Sequence, residues 1–361
     1  MYKKLIFLII ISFFLISCNS KREIRVGFAG SLSGSNHEIG VASKNGFQMA
    51  IDDLNNSDLY KPVTFVPIIR DDFSDPNEAI NIIDNFKEES IFSAVGFITS
   101  NMYPAIVEAN EEEILLISPS ISTPKLSDKD DLFIRVIQSM EFEAKELARR
   151  TREIEVTRLS IIYEMSNDVY SVKYFEEFRD EYISKNNEIV YHRALEDSSF
   201  DEIVNDIITS DSDGICLITS AHNASEILQR LNVKNVDIPI ALSQWTMTSD
   251  LIIQAGQSVE GAYGYSSYNR NISTQNYEDF REGYIERYRI EPSFMSLTSY
   301  EATQILCLSL LNNSKVDEIK DDLVNSTYTG LQNDFRINEY GDAIRIFYLV
   351  HIEDGLIVPL E

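Results

Sequence analysis

Along the chain, short β-branched runs alternate with longer stretches whose apolar residues recur at helical spacing, and the alternation happens twice. Residues 24–28, 63–69, 92–96 and 115–118 read as strands. Between them Phe47, Ala50, Ile51 and Leu54 share one helical face, as do Ala79, Ile82, Ile83 and Phe86. The second of these helices has a marked start: Asp75 as cap, Pro76 at the first helical position and Glu78 placed to complete a capping box. A fresh series opens with strands at 159–163, 188–192, 214–218 and 239–242, separated by helices over about 170–184, 200–209 and 221–231. Such alternation predicts an α/β fold with parallel sheets covered by helices on both faces, and two series predict two lobes. Helical patterns at 277–288 and 296–311, then strand-like 334–338 and 343–352, are expected to complete the two sheets. No low-complexity tether interrupts the chain, so short hinge strands should join the lobes.

The first residues carry a different pattern. Lys3 and Lys4 precede an apolar run from Leu5 to Phe14 that ends in Leu15-Ile16-Ser17-Cys18. The run is too short for a comfortable membrane span, which needs about 20 residues, and reads as a secretory signal over residues 1–17. The box before Cys18 resembles a bacterial lipoprotein signal, which implies cleavage there, lipidation of Cys18 and an extracytoplasmic chain held to a membrane by its N-terminal lipid. Loss of the signal leaves 344 of the 361 residues and, two lysines going with it, moves the formal charge from −27 to −29. So acidic a chain repels nucleic acid and disfavours flat docking on anionic lipid. Cys216 and Cys307 sit in apolar contexts and read as buried thiols, with one bridge between them left open.

Several segments then resemble, in order and spacing, the leucine/isoleucine/valine-binding protein family of type I periplasmic binding proteins. They are Ile24-Arg25-Val26-Gly27 with Gly30-Ser31-Leu32-Ser33-Gly34, Gly40, Asn45-Gly46 and Ala50; Arg70-Asp71-Asp72 with Asp75-Pro76; residues 96–101; and Ile117-Ser118-Pro119-Ser120-Ile121-Ser122-Thr123-Pro124. Trp245, Val259-Glu260-Gly261, Ser299-Tyr300-Glu301-Ala302 and Gly341-Asp342-Ala343 follow. The resemblance implies two Rossmann-like lobes, 24–138 with 269–329 and 139–268 with 330–361. It also implies a monomer that closes on a small polar ligand and hands it to the membrane subunits of an ABC permease or, alternatively, presents it to a histidine kinase or other receptor.

In open parallel sheets ligands bind beyond the carboxyl ends of the strands. Ser100 lies just past such an end, where a hydroxyl and free N–H groups seat a carboxylate or carbonyl oxygen; capping a helix is the other use of a Ser or Thr there. By resemblance the Ser120 backbone and the Ser122 hydroxyl, with Ile121 between them, face the same ligand end. Tyr170 matches a family aromatic that reaches in from the second lobe, or packs on its own lobe. Ile39 covers the ligand or staples the following helix. Ser220, Gln244 and Trp245 follow strands of the second lobe; Trp245 is a cleft wall or core. Amino-acid binders of the family present a carboxylate near the position of Gln244, and a buried ammonium without one is costly. Either another acid, such as Asp168 or Glu301, supplies it, or the ligand is an amide, a urea-like compound or a small carboxylic acid.

Enzyme readings find no support in the motifs. Gly30-Ser31-Leu32-Ser33-Gly34 has leucine where a nucleophile elbow needs serine. His37, His192, His222 and His351 lack metal-ligand spacing, and no dinucleotide or P-loop glycine pattern occurs. No catalytic residue, cofactor or metal is therefore expected.

Overall fold

The structure is a computed structural model that describes residues 22–34 and 36–360. The first lobe is built on a sheet of β1 (Arg22–Gly30), β2 (Val63–Asp71), β3 (Ser93–Gly96), β4 (Leu115–Ser118) and β5 (Phe133–Arg135). Its strands are all parallel, in the order β2-β1-β3-β4-β5. The second lobe uses β6 (Arg158–Tyr163), β7 (Glu188–Ala194), β8 (Gly214–Ile218), β9 (Ile240–Leu242) and β10 (Tyr263–Ser266). Their order, β7-β6-β8-β9-β10, repeats the winding of the first lobe.

Helices cover both faces of each sheet, as the two-sided burial of the strands requires. On the first lobe α1 (His37–Asn56) lies on one face, and α2 (Pro76–Glu88) and α3 (Tyr103–Glu111) on the other, where Ala79, Ile82, Ile83, Phe86, Ala105 and Ile106 form a core with Ala29 and Ala94. On the second lobe α4 (Met140–Glu153) and α5 (Asp168–Tyr182) face α6 (Phe200–Thr209), α7 (Ala221–Val233) and α8 (Ser249–Ala255) across the sheet. Asp75 caps α2 by accepting from Asn77 N at 2.8 Å, but the expected capping box does not form. The Asp75 N–H already donates to Asp72 O at 2.8 Å, so Glu78 has nothing to accept and takes Asn81 instead. A reciprocal box does open α6, between Ser199 and Glu202.

The C-terminal third returns to the first lobe before finishing the second. The helices α9 (Gln275–Tyr288) and α10 (Phe294–Asn312), followed by α11 (Val316–Leu323), carry the chain there: Tyr300 Oη donates to Asp53 at 2.8 Å and Tyr288 Oη to Asn45 O at 3.1 Å, both on α1. The segment from 330 was expected to join the second lobe; its first part does not. β11 (Ser326–Tyr328), β12 (Phe335–Ile337) and β13 (Ala343–Ile344) make a separate three-stranded antiparallel sheet. The buried Arg135 guanidinium holds the turn of this sheet to the first lobe through Asp342 at 2.7 Å, while Arg135 N donates to Gly341 O at 2.9 Å. Only β14 (Tyr348–Glu353) and β15 (Leu356–Pro359) extend the second sheet, antiparallel at its β10 edge. The chain thus crosses between the large sheets three times, after β5, after β10 and after β13.

Where α1 meets α10 the backbones touch. A Cβ on Gly46 would lie 2.1 Å from Ser296 O, and helix backbones on both sides leave no room to yield. Gly46→Ala is therefore expected to destabilise the fold by about 1–3 kcal/mol, the cost of overpacking a rigid contact. Urea denaturation should show a lower midpoint at unchanged slope; an unaltered midpoint would mean that the two helices do not approach so closely.

Candidate functional site

The carboxyl ends of the two parallel sheets face each other across the hinge, and a cavity lies between them. Its lining comes from both lobes: Ile39, Ile98, Thr99, Ser100, Ser120 and Ser122 from one, Met140, Glu143, Asn167, Tyr170, Gln244 and Trp245 from the other, with Ile137, Gln138, Phe294, Met295 and Phe347 at the side. Its free volume is about 40 Å³.

On the first lobe the geometry starts at Gly96, which ends β3 at φ +131°, where a Cβ would stand 1.9 Å from Ala29 O. Only glycine turns the chain there. The following loop is stitched to the one after β4: Ser118 Oγ donates to Phe97 O at 3.1 Å and accepts from Ile121 N at 3.0 Å, and Ser120 Oγ donates to Ile98 O at 2.6 Å. Ser120 lines the cavity, yet its N–H is turned onto Ser118 Oγ at 3.3 Å rather than offered to the cleft as expected. What remains free is three hydroxyls. Thr99 precedes a 3-10 turn that leads into α3 without making a side-chain cap bond, and its buried Oγ1 has no hydrogen-bond partner. The Ser100 and Ser122 hydroxyls likewise bond to no group among the described residues, and both residues line the cavity.

The second lobe supplies aromatic walls and acceptors. Tyr170 and Trp245 meet edge to face, centroids 5.8 Å apart and planes at 85°, and Tyr170 also packs on Tyr174 at 5.4 Å. Each is thus wall and core at once. Gln244 is buried; its Nε2 donates to Ser267 Oγ at 3.2 Å while Oε1 has no partner.

Two expected residues are elsewhere. Ile121 is fully buried in the core of its own lobe, because its N–H is held by Ser118 and its side chain points under the sheet. Ser220 opens α7 with its N–H on Glu164 at 2.8 Å and does not reach the cavity. Neither acid proposed as a counter-charge is there. Asp168 is exposed, and Glu301 is buried on α10, accepting from Leu331 N at 2.7 Å and paired with Arg345.

The acid in the cleft is Glu143, on the first turns of α4. It is buried, and its Oε1 accepts from Gln244 N at 2.7 Å and Tyr174 Oη at 2.9 Å. Its Oε2 has no partner, and no cation pairs with it among the described residues. Burial without a counter-charge pushes its carboxyl up to about 8 against those two hydrogen bonds. The sequence held a signal for it: Glu143 falls in the buried stripe of Met140, Ala144 and Leu147 at helical spacing. Phe294, Met295 and Phe347 were missed as well.

The lobes are closed on this cavity. Asn101 of the first lobe donates from N to Asn167 Oδ1 at 3.2 Å and from Nδ2 to Ser166 O at 3.0 Å, and accepts from Val169 N at 3.0 Å. On the opposite flank Gln254 Nε2 donates to Glu38 at 3.3 Å, beside a larger apolar cavity of about 550 Å³ that Ile252, Ile253 and Ile290 help to line. Among the described residues no cluster of His, Cys, Asp and Glu could hold a metal, and no helix is long and apolar enough to cross a membrane. Cys216 and Cys307 are buried and unbridged. Cys18 lies outside the described residues.

Residues 23–355 match the profile of the periplasmic binding protein family. The chain is similar to the leucine-specific-binding protein of Salmonella typhimurium, 29% identical over 113 residues, and to the leucine-, isoleucine-, valine-, threonine- and alanine-binding protein of Pseudomonas aeruginosa, 25% identical over 107 residues. These stretches span 31% and 29% of each partner, under a third of the curated relatives' length. Among solved structures it resembles the leucine binding protein of Thermotoga maritima (TM-score 0.84, 17% identity, 94% of this chain and 98% of that one). It also resembles the branched-chain amino acid transporter substrate binding protein of Streptococcus pneumoniae in complex with isoleucine (0.86, 20%, 93% and 98%). A third is an ABC transporter solute binding protein of R. palustris in complex with benzoate (0.85, 16%, 94% and 95%). With its two lobes wound as in those structures and the family profile matched over nearly its whole described length, the chain belongs to the periplasmic binding protein family, on the type I scaffold of the leucine/isoleucine/valine-binding proteins.

Proposed function

We propose that the chain is the solute-binding lipoprotein of an ABC importer, anchored outside the cytoplasmic membrane through Cys18, and that it binds a small polar solute between its lobes without transforming it. The observation that carries this reading is the small closed cavity at the strand ends, with free hydroxyls of Thr99, Ser100 and Ser122 on one wall and Gln244 and Glu143 on the other. Amino acids, their amides, urea-like compounds and small carboxylates are the solutes whose size and polarity suit it. The relatives' names point the same way: leucine-specific and branched-chain binders by sequence, an isoleucine and a benzoate complex by structure. A permease is the favoured reader of the closed form because both ligand-bound neighbours are transporter components.

Closure follows from differential contact. A solute seated on Ser100 and Ser122 gains Gln244, Tyr170 and Trp245 only when the second lobe arrives, and that gain shifts the population towards the closed form. Asn101 adds its three hydrogen bonds to the closed form without lining the cavity.

A solute bound only by the folded chain must raise its melting temperature. Screening residues 19–361 against those four classes should give a concentration-dependent shift with at least one; no shift from ligand-free, folded protein would contradict a solute-binding role. Ser122→Ala should weaken the best binder about 10- to 100-fold, the worth of a hydrogen bond to a charged oxygen, measured by calorimetry. Asn101→Ala should weaken it about 5- to 50-fold by depopulating the closed state, with a larger radius of gyration in solution scattering at subsaturating solute; equal affinity would show that the cross-lobe bonds contribute nothing.

A further inference from the structure

The hydrogen bond from Gln254 to Glu38 joins the lobes on the flank away from Asn101, and the acids around it do not match. Glu38 lies in the first turn of α1 on the first lobe, Asp250 in the first turn of α8 on the second. Within its own lobe each is an ordinary complement to a helix dipole. Closure sets them on the walls of one apolar cavity, both half-buried, with His37 beside them. Gln254 is fixed from behind: its Oε1 accepts from Ser225 Oγ at 3.4 Å and lies 3.2 Å from His222 Nδ1, and its backbone O accepts from Gln229 Nε2 at 2.5 Å. That leaves Nε2 turned to Glu38. An amide donates to a carboxylate and equally to the carbonyl oxygen of a carboxylic acid, so this bond survives protonation of Glu38. The Asp250 carboxyl takes no hydrogen bond among the described residues, and neither acid has an ion pair there.

We propose that Glu38 and Asp250 form a proton-sensitive latch between the lobes: as two carboxylates they oppose closure, and uptake of a proton by the pair removes the opposition and lets the cleft close more readily. The inference uses the hinge closure of the reading above but not the identity of the solute. Burial, and then the Asp250 charge, push the Glu38 carboxyl up, while the Gln254 bond, His37 on its own helix and His222 from α7 pull it back. Burial pushes Asp250 up as well, and His37 pulls it back; Tyr284 of α9 faces it without a charge to offer. The guanidinium in the cavity wall, that of Arg270, lies 4.0 Å from Glu291 and compensates neither acid. When the lobes part, both carboxyls return to water and to the ordinary carboxylate range. The closed form therefore holds a proton more tightly than the open one. Closure is favoured in acid, and the advantage is lost as pH rises through the raised range of the closed form.

The experiment is calorimetry on residues 19–361 with L-leucine, L-isoleucine and benzoate as probes, at about pH 5 and about pH 7.5, comparing the wild type with Glu38→Gln and Asp250→Asn. Glu143 in the cleft is itself pushed up to about 8, so the variants rather than the wild-type slope carry the test. At the higher pH each variant should bind a probe about fivefold more tightly than the wild type, the effect of relieving one hydrated like-charge contact. Salt at about 1 M should give the wild type most of that gain and the variants none. At the lower pH the gain should shrink. A damaged fold can only lose affinity, so a gain is not mistaken for one. Equal or weaker binding by both variants at the higher pH, or salt acting alike on variants and wild type, would overturn the latch and leave the solute site standing. If none of the three probes binds, the choice of solutes is at fault and the latch is read without one. Spin labels on Asp84→Cys and Asp180→Cys, both exposed, one on α2 and one on α5, then report the distance between the lobes, Cys216 and Cys307 being buried. The closed fraction should be larger in acid, and larger in Asp250→Asn than in the wild type at the higher pH; distance distributions that respond to neither change would sink the proposal.

Discussion

A buried polar group without a partner costs about 1–3 kcal/mol, and the closed cleft concentrates such groups in one small space. Thr99 Oγ1 and Gln244 Oε1 are sealed from water without a hydrogen bond, and Glu143 holds its carboxyl there without a counter-charge. Elsewhere an unpaired buried atom belongs to a charged group that is otherwise bonded: Arg135 leaves Nε unpaired but reaches Asp342, Thr123 and Ser127, and Arg345 leaves Nε unpaired but reaches Glu301, which also takes Leu331 N. The contrast locates the place where the molecule is complete only with something else in it. Everything else in the architecture serves to bring those unpaired groups together and to let them part.

The winding does the first. Parallel strands, wound β2-β1-β3-β4-β5 in one lobe and equivalently β7-β6-β8-β9-β10 in the other, collect the loops at the carboxyl end of each sheet, and the hinge turns the two ends towards each other. Glycine at position 96 and the Ser118 and Ser120 hydroxyls then shape the first-lobe loops using their own hydrogen-bonding capacity, which leaves Ser100 and Ser122 unspent. Separation of the lobes is kept possible because the bonds across the cleft are few and are made by polar surface residues, Asn101 and Gln254, that water can satisfy when the lobes open.

Much of this was readable from sequence, for identifiable reasons. The core strands sit in sheets buried on both faces, so their apolar runs are unbroken and both series stand out. Ser100, Ser122, Tyr170, Gln244 and Trp245 follow strand ends, which is where an open sheet displays its loops. What escaped depended on distant partners. Residues 334–344 alternate like strands, but nothing local says that Asp342 will be drawn to Arg135, far back in the chain, and away from the second sheet. Glu301 looked like a free acid because Arg345 is 44 residues later. Glu143 was overlooked because acids at a helix start are ordinary complements to the dipole; only its place on the buried stripe of α4 marks it as different. Phe294 and Phe347 reach the cleft from segments with no motif around them.

The central claim is that these opposed, unpaired groups are the seat of a small solute. A crystal structure of residues 19–361 grown with the solute that gives the strongest thermal shift tests it most directly. The account predicts density in the small cavity, in contact with Ser100 and Ser122 on one side and with Gln244 and Glu143 on the other, and the Asn101 bonds formed. Density in the larger apolar cavity beside Ile252, Ile253 and Ile290, with the Glu143 and Thr99 groups still unpaired, would contradict it.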